Sequence, residues 1–217
     1  MRAIADFRSD TVTKPTAAMR EAMAQAEVGD DVFGEDPTTR RLEEEAAEIL
    51  GHEAALFVPS GTMANAIAIA LHAGRGDEVL LEEASHPFLF EGGGTSWIAG
   101  AQPRPIPSTQ GRIAPETVRQ HVRALNDHFP RTRVLCIENT HNMHGGTVTS
   151  VAQFQALRAV CDSCGLRLHV DGARLFNAAV AAQVPVLELS SLADTVSVCL
   201  SKGLGAPVGS LLASRAV

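Results

Sequence analysis

Residues 132–174, TRVLCIENTHNMHGGTVTSVAQFQALRAVCDSCGLRLHVDGAR, decide the fold of this chain. The apolar run over 132–142 predicts a strand, the pattern over 150–165 predicts a helix, and 166–174 predicts a second strand. A helix between two strands is typical of a crossover connection, which makes the two strands parallel. The segment therefore predicts a parallel βαβ unit.

The same alternation continues on both sides of this segment. Further strands are predicted over 54–61, 77–86, 195–203 and 207–214, and 102–107 is predicted to be extended. Helices are predicted over 17–26, 39–50, 62–74, 114–126 and 176–183, with a short helix and a glycine-rich turn in 87–101. Strands alternating with helices predict an α/β domain with a mostly parallel sheet and helices on both faces.

Composition narrows the class of protein. The chain has 217 residues, of which 45% are hydrophobic and 20% charged, and its net charge is −7. An acidic chain without a Lys/Arg cluster argues against a nucleic-acid partner. The first residues lack the apolar core of a signal peptide, and no apolar stretch is long enough to span a bilayer. We therefore predict a cytoplasmic protein with no membrane partner.

Two motifs raise the question of a metal. Cys161 and Cys164 have a CxxC spacing, but they fall where a helical pattern ends and no second CxxC follows. The HNMH stretch at 141–144 has no carboxylate or cysteine at ligand spacing. No metal site is predicted.

Polar residues follow the predicted strands at their carboxyl ends, where parallel sheets bind ligands. They are Ser60, Gly61, Thr62, His86, His141, Asp171, Arg174 and Lys202. Each has a structural alternative. The turn at 60–62 could bind an anion at a helix N-terminus or be a plain helix cap. Asp171 could pair with a ring nitrogen of a ligand or with Arg174, and the histidines could be core residues.

Taken together, these residues match the needs of one cofactor. Pyridoxal 5'-phosphate requires an anion site for its phosphate, a carboxylate for its ring nitrogen and a lysine for its aldehyde. The turn at 60–62, Asp171 and Lys202 would supply the three at one edge of the sheet. A lysine in a buried, glycine-rich turn is also explained if it is bound to a cofactor, since a free buried ammonium is costly.

Four stretches carry a family resemblance: RSDTVT at 8–13, ENTHN at 138–142, HVDGAR at 169–174 and LSKGLGAPVGS at 200–210. With these motifs the chain resembles the threonine aldolases of the β-eliminating lyase group, pyridoxal-phosphate enzymes of fold type I. Matching segments are spread over nearly the whole chain in the family's order. The resemblance, rather than the periodicity, indicates the family.

The resemblance implies a role for each site residue. Lys202 would bind the cofactor as a Schiff base, Asp171 would pair with the ring nitrogen, and Arg174 would lie near the ring's phenolic oxygen and the substrate. Ser60, Gly61 and Thr62 would hold the phosphate, and His86 would stack on the ring. Ser9 would help to bind the substrate carboxylate, and His141 would face the substrate hydroxyl.

The implied reaction is retro-aldol cleavage of L-threonine, L-allo-threonine and other β-hydroxy-α-amino acids to glycine and an aldehyde. Either His86 or His141 would take the β-hydroxyl proton. The resemblance also implies a homo-oligomer, a dimer of dimers. Residues 1–38 would form an N-terminal arm at the subunit interface, and residues 39–217 the cofactor-binding large domain.

The sequence departs from the family in two places. It ends 15 residues after Lys202, whereas family members continue into a small C-terminal domain that contributes an arginine for the substrate carboxylate. We therefore expect a fragment whose carboxylate site is incomplete. Phe33 stands where relatives often have tyrosine, so any hydroxyl role at that position is lost.

Two alternatives stay open. A β-eliminating lyase acting on aromatic amino acids or cysteine conjugates would share Lys202 and Asp171 but release ammonia and pyruvate. A catalytically incompetent chain would only bind the cofactor or a partner subunit. A nicotinamide-dependent dehydrogenase is disfavoured, because its glycine fingerprint is absent.

Overall fold

The computed structural model describes residues 5–215. The strands are β1 (Ala54–Val58), β2 (Glu78–Glu82), β3 (Gln102–Ile106), β4 (Thr132–Glu138), β5 (Arg167–Asp171), β6 (Thr195–Cys199) and β7 (Ser210–Ser214). The α-helices are α1 (Ala17–Gln25), α2 (Pro37–Leu50), α3 (Gly61–His72), α4 (His86–Leu89), α5 (Gly94–Trp97), α6 (Pro115–His121), α7 (Val151–Cys164), α8 (Leu175–Ala182) and α9 (Val186–Ser190). Within the described part of the chain, none of these helices is both long and apolar enough to cross a membrane.

All seven strands belong to one sheet in the order β1-β7-β6-β5-β4-β2-β3. Strands β2 to β6 pair in parallel, whereas β7 is antiparallel to both of its neighbours. Since β7 reverses the direction twice, β1 runs the same way as β6. The mostly parallel sheet predicted from the sequence is thus confirmed, and the carboxyl ends of β1, β2, β4, β5 and β6 meet at one edge.

Helices cover both faces of this sheet, as predicted. On one face, strand residues such as Leu135, Val170 and Val198 pack with the apolar sides of α2 and α7, and Phe154 is fully buried there. On the other face, apolar residues of β2 and β4 pack around Ile69 of α3. Side chains along a strand alternate between the two faces of the sheet. In β5 and β6 the residues on the face toward α3 are mostly polar. The polar layer beneath α3 is the base of the site.

The N-terminal part of the described chain contributes little to the core. Helix α1 has no buried residue, and Phe7, Val32 and Phe33 are exposed. This segment returns to the main body at two points, where Thr13 donates a hydrogen bond to the Lys202 carbonyl and Asp10 pairs with Arg174. It is therefore an extension that touches the sheet edge carrying the site residues.

Two predicted helices were wrong at one end, and a third helix was not predicted. Helix α2 begins at Pro37 rather than Thr39, because Asp36 caps it by accepting the Thr39 N–H at 2.8 Å; the predicted boundary after residue 38 therefore falls inside a helix. Helix α6 ends at His121, five residues short of the predicted end, since Arg123 leaves the helix to bind Glu78 at 2.7 Å. Helix α9, which follows Pro185, was not predicted.

Candidate active site

One cavity, of about 230 Å³, opens at the edge of the sheet where β1, β5 and β6 end. Of the residues singled out from the sequence, it brings together Ser60, Gly61, Thr62, His86, Asp171 and Lys202. Asn65, Glu91, Ala173, Cys199 and Ser201 also line it. A larger cavity of about 560 Å³ along α3 is lined by apolar side chains apart from Ser60 and Thr62, so its lining contains no charged or titratable side chain.

One end of the cavity is the N-terminus of α3. Ser60 is the helix cap, and its hydroxyl accepts the Met63 N–H at 3.2 Å. The first N–H groups of a helix have no intrahelical partner and carry the positive end of its dipole. A Cβ at Gly61 would approach Cys199 Sγ to 2.8 Å, so only glycine permits this close packing of helix and strand. This end of the cavity is suited to an anion.

Asp171 lies at the bottom of the cavity and is only 2% exposed. Its Oδ1 accepts the Ala173 N–H at 3.1 Å, and its Oδ2 accepts a hydrogen bond from the Asn65 amide at 3.0 Å. Among residues 5–215, no lysine, arginine or histidine nitrogen lies within 4.0 Å of this carboxylate. A buried carboxylate held only by neutral donors is a site for a cationic group of a ligand.

Asn65 connects this carboxylate to the polar layer beneath α3. Its amide nitrogen also donates to Glu91 Oε1 at 2.8 Å, and its Oδ1 accepts from Ser197 Oγ at 2.8 Å. His169 Nε2 is 3.0 Å from the same Oδ1, and burial lowers the pKa of His169 to about 4. His169 is therefore neutral and donates through Nε2 to Asn65. The sequence analysis missed Asn65, although an amide in an otherwise apolar helix was a signal.

His86 stands on the wall of the cavity at the start of α4. Its Nδ1 is 2.9 Å from Glu91 Oε1, and its side chain is 35% exposed. The hydrogen bond that His86 donates to Glu91 raises the pKa of His86, and burial raises the pKa of Glu91. Glu91, another residue missed from the sequence, therefore fixes the ring and leaves Nε2 as its free nitrogen within the described chain.

Lys202 lies on the turn that follows β6, on the same cavity as Asp171. No acidic side chain in the described range of the chain forms an ion pair with it. Thr13, in the N-terminal segment, donates to its carbonyl at 2.7 Å, and Gly205 has a left-handed φ of 78°. This hydrogen bond and a turn that needs glycine therefore hold the lysine backbone in place.

Arg174 and Ser9 are outside the lining of this cavity. The Arg174 guanidinium binds Asp10 through two hydrogen bonds of 2.7 Å, which lower the pKa of Asp10. The Ser9 hydroxyl accepts the Thr11 N–H at 3.2 Å and caps the turn that carries Asp10. The sequence analysis missed Asp10, although it lies within the RSDTVT motif.

His141 is also outside the cavity, and it is only 1% exposed. Its Nε2 is 2.8 Å from Glu82 Oε2, and its Nδ1 has no partner within the described residues. The two histidine loops are linked by Glu138, whose carboxylate accepts the backbone N–H of His86 at 2.8 Å and that of Asn142 at 2.9 Å. The structure therefore brings His86 to the cavity and holds His141 behind it.

Comparison with known proteins finds a family match and similar sequences. The sequence model of the family described as beta-eliminating lyase matches residues 6–216. Low-specificity L-threonine aldolase 1 of Arabidopsis thaliana is 50% identical over 216 residues, which are 98% of this chain and 60% of that protein. The chain thus spans about 60% of the length of this relative.

Two solved structures share the fold. Threonine aldolase of Leishmania major superposes with a TM-score of 0.84 at 21% identity, over 95% of this chain and 61% of that one. A serine palmitoyltransferase of S. paucimobilis with bound PLP superposes with a TM-score of 0.66 at 20% identity, over 97% of this chain and 52% of that one. At these identities the likeness extends to the fold alone.

Proposed function

This chain belongs to the beta-eliminating lyase family, and on that premise we propose that the protein is a pyridoxal-phosphate-dependent threonine aldolase. Its reaction is the cleavage of L-threonine, L-allo-threonine and other β-hydroxy-α-amino acids to glycine and an aldehyde. One observation carries the proposal: Lys202, Asp171 and the N-terminus of α3 line a single cavity. The threonine aldolase name of the Arabidopsis protein supports the substrate class.

The residues of the cavity fit the cofactor. Gly61 and Thr62 offer helix N-terminal N–H groups to a phosphate, with the hydroxyls of Ser60 and Thr62 beside them. Asp171, which lacks a cationic partner within the described residues, would pair with a protonated ring nitrogen, and the Lys202 amine would bind the aldehyde carbon. When bound, pyridoxal phosphate supplies an electron sink for the electrons released as a bond to Cα breaks.

Asp171 would act by keeping its charge close to the ring nitrogen. The hydrogen bonds from Asn65 and Ala173 fix both carboxylate oxygens, so the charge needs no rearrangement during the reaction. Because water is largely excluded from this buried group, its charge acts more strongly than it would in solvent.

We propose that Nε2 of His86 accepts the proton of the substrate's β-hydroxyl. His86 lines the cavity, and Glu91 holds its Nδ1, so the ring is oriented and Nε2 is free to accept a proton. His141 is a weaker candidate for this step, because Nε2 is bound to Glu82 and Nδ1 is buried. Ser9 and Arg174 are proposed to bind the substrate carboxylate. The Asp10–Arg174 ion pair supports this, because it holds the segment that contains Ser9 next to the segment that contains Arg174.

The assembly and location are proposals of the same kind. We expect a homo-oligomer, a dimer of dimers, with residues 1–38 as an interface arm; the exposed apolar side chains of that segment support this. Of the 38 residues, 1–4 lie outside the described part of the chain. A cytoplasmic location is supported by four free cysteines, three of them buried.

The decisive experiment is borohydride reduction of the purified protein with pyridoxal phosphate, followed by digestion and mass spectrometry. We expect a cofactor-sized mass on the peptide with Lys202 and none on the peptide with Lys14, the chain's other lysine. The variant Lys202→Ala should lose the adduct, and Lys14→Ala should keep it. A folded wild-type protein without an adduct contradicts the proposal.

Product analysis then separates the reaction classes. The protein should release glycine and acetaldehyde from L-threonine. Release of ammonia and pyruvate from aromatic amino acids or cysteine conjugates would instead indicate a β-eliminating activity. An adduct on Lys202 without any product would identify a cofactor-binding chain that lacks the lyase activity.

A further inference from the structure

A second cluster of polar side chains lies behind the candidate active site and is not explained by it. Glu82, at the end of β2, meets His141 and His144, which belong to the loop after β4. The Nε2 of His141 is 2.8 Å from Glu82 Oε2, and the Nε2 of His144 is 3.3 Å from Glu82 Oε1. The sequence analysis set a metal aside because HNMH has no carboxylate or cysteine at ligand spacing; the fold supplies a carboxylate from another strand.

The cluster contains two buried carboxyl groups. Glu82 is 1% exposed and Glu138, whose Oε2 lies 3.9 Å from His141 Nε2, is also buried. Within residues 5–215, neither carboxylate has a lysine or arginine nitrogen within 4.0 Å. The Glu82 carboxylate accepts hydrogen bonds from Ser108 Oγ and from the Ala84 N–H. A buried carboxylate is stabilised by a cation beside it.

The geometry of the three side chains suits a small divalent metal ion. Two imidazole nitrogens and a carboxylate form a known ligand set for zinc, and tetrahedral zinc places neighbouring ligand atoms about 3.3 Å apart. The ligand atoms here all lie within 4.8 Å of one another. The shorter contact, from His141 to Glu82, would have to open by about half an ångström to reach that spacing.

The ligands are also held in place and reachable. Ser108 Oγ donates to Glu82 Oε1 at 2.7 Å, and the Ala84 N–H donates to Oε2 at 2.7 Å, which fixes the carboxylate as outer hydrogen bonds do in metal sites. The His144 side chain is 30% exposed, so an ion and a water ligand can enter from solvent. The turn that carries His144 is closed by Gly145 in a left-handed conformation.

We propose that Glu82, His141 and His144 form a binding site for a divalent transition-metal ion of the zinc class, next to the candidate active site but separate from it. The ion takes the lone pair of His141 Nε2 and joins the end of β2 to the loop after β4. Glu138 accepts hydrogen bonds from the backbone of that loop and from the backbone of His86. Glu138 therefore connects the loop that binds the ion to His86.

The test uses the purified protein after treatment with a chelator, titrated with Co²⁺ and followed by its visible absorption, with Zn²⁺ competition and elemental analysis. We expect one Co²⁺ per chain, displaced by Zn²⁺, without the thiolate charge-transfer bands that Cys161 and Cys164 would produce. The variants Glu82→Gln and His144→Asn should each weaken binding at least about tenfold.

Two control variants match these changes. Glu83→Gln and His128→Asn alter an exposed glutamate and an exposed histidine outside the cluster and should bind Co²⁺ like the wild type. Circular dichroism establishes that every variant is folded. If the folded wild type binds Co²⁺ no better than Glu82→Gln and His144→Asn, the proposal is overturned, and the cation beside Glu82 is then a proton on a histidine. Because binding is read without any turnover, the result does not depend on the lyase activity.

Discussion

Asn65 and Glu91 determine the electrostatics of the cavity at the scale of single residues. The Asn65 amide nitrogen donates to both Glu91 and Asp171, so two buried carboxylates share one neutral donor. Like charges in such proximity favour a nearby positive group. The Nδ1 of His86 pairs with Glu91. The proposed ring nitrogen would pair with Asp171.

The variant Asp171→Asn should bind pyridoxal phosphate and lose most of its turnover. An amide keeps the shape of the side chain but removes the negative charge that would hold the ring nitrogen protonated. We expect kcat for threonine cleavage to fall by about 100-fold or more, with the cofactor's visible absorbance retained. Near-normal turnover in this variant would contradict the role assigned to Asp171.

The variant Glu91→Gln should extend activity to lower pH. The Glu91 hydrogen bond is the main cause of the raised pKa of His86, and a base must be neutral to accept a proton. In the wild type, the neutral form of His86 is gained only as pH rises through this raised pKa. Loss of the carboxylate lowers that pKa, so the acidic limb of kcat/KM against pH should move to lower pH.

A glutamine at position 91 can still accept from Asn65, so the test changes charge more than packing. Glu83→Gln, at an exposed position on the preceding turn, is the matched control and should leave the pH profile in place. An unchanged acidic limb in Glu91→Gln would mean that His86 is not the base.

At the scale of elements, the helix caps decide where the chain turns toward the site. Helix α7 starts with a capping box, in which Ser150 Oγ accepts the Gln153 N–H and Gln153 Oε1 accepts the Ser150 N–H at 2.9 Å. This helix buries Phe154 and Leu157 against the sheet. The cap of α7 therefore supports the crossover that connects β4 to β5. Asp171 is the last residue of β5.

The variant Ser150→Ala should reduce the free energy of unfolding by about 1 kcal/mol, the usual effect of losing a helix cap. Gln155→Ala, on the exposed side of the same helix, should stay within about 0.5 kcal/mol of the wild type. Urea denaturation followed by circular dichroism measures both. Equal stabilities of the two variants would show that the capping box contributes nothing measurable.

At the scale of the whole molecule, the sheet edge could be predicted and the contacts across it could not. Alternating strands and helices place Ser60, Asp171 and Lys202 at strand ends, and the parallel sheet brings those ends together. The partnerships of Asn65, Glu82 and Asp10 depend on side chains that are far apart in sequence and meet only in the folded chain. The direction of β7 was also beyond prediction, because a short apolar run is compatible with either direction.

The exposed N-terminal segment leads to a prediction about assembly. Phe7, Val32 and Phe33 are exposed by 93%, 90% and 77%, and all three lie in the segment that we propose as an interface arm. We expect the wild type to self-associate in light scattering, and the triple variant Phe7→Ser, Val32→Ser, Phe33→Ser to have a lower mass. A monomeric wild type at all concentrations would contradict the interface arm.

The position of β7 has a consequence for how the protein is made. Ala54 at the start of β1 pairs with Ser214, and Val58 pairs with Ser210, so β1 has no strand neighbour until β7 has left the ribosome. The other strands can pair earlier, since their neighbours are closer in sequence. Pairings between such distant segments form slowly. During synthesis the strand that leads into the turn at 60–62 can therefore join the sheet only after β7 has been made.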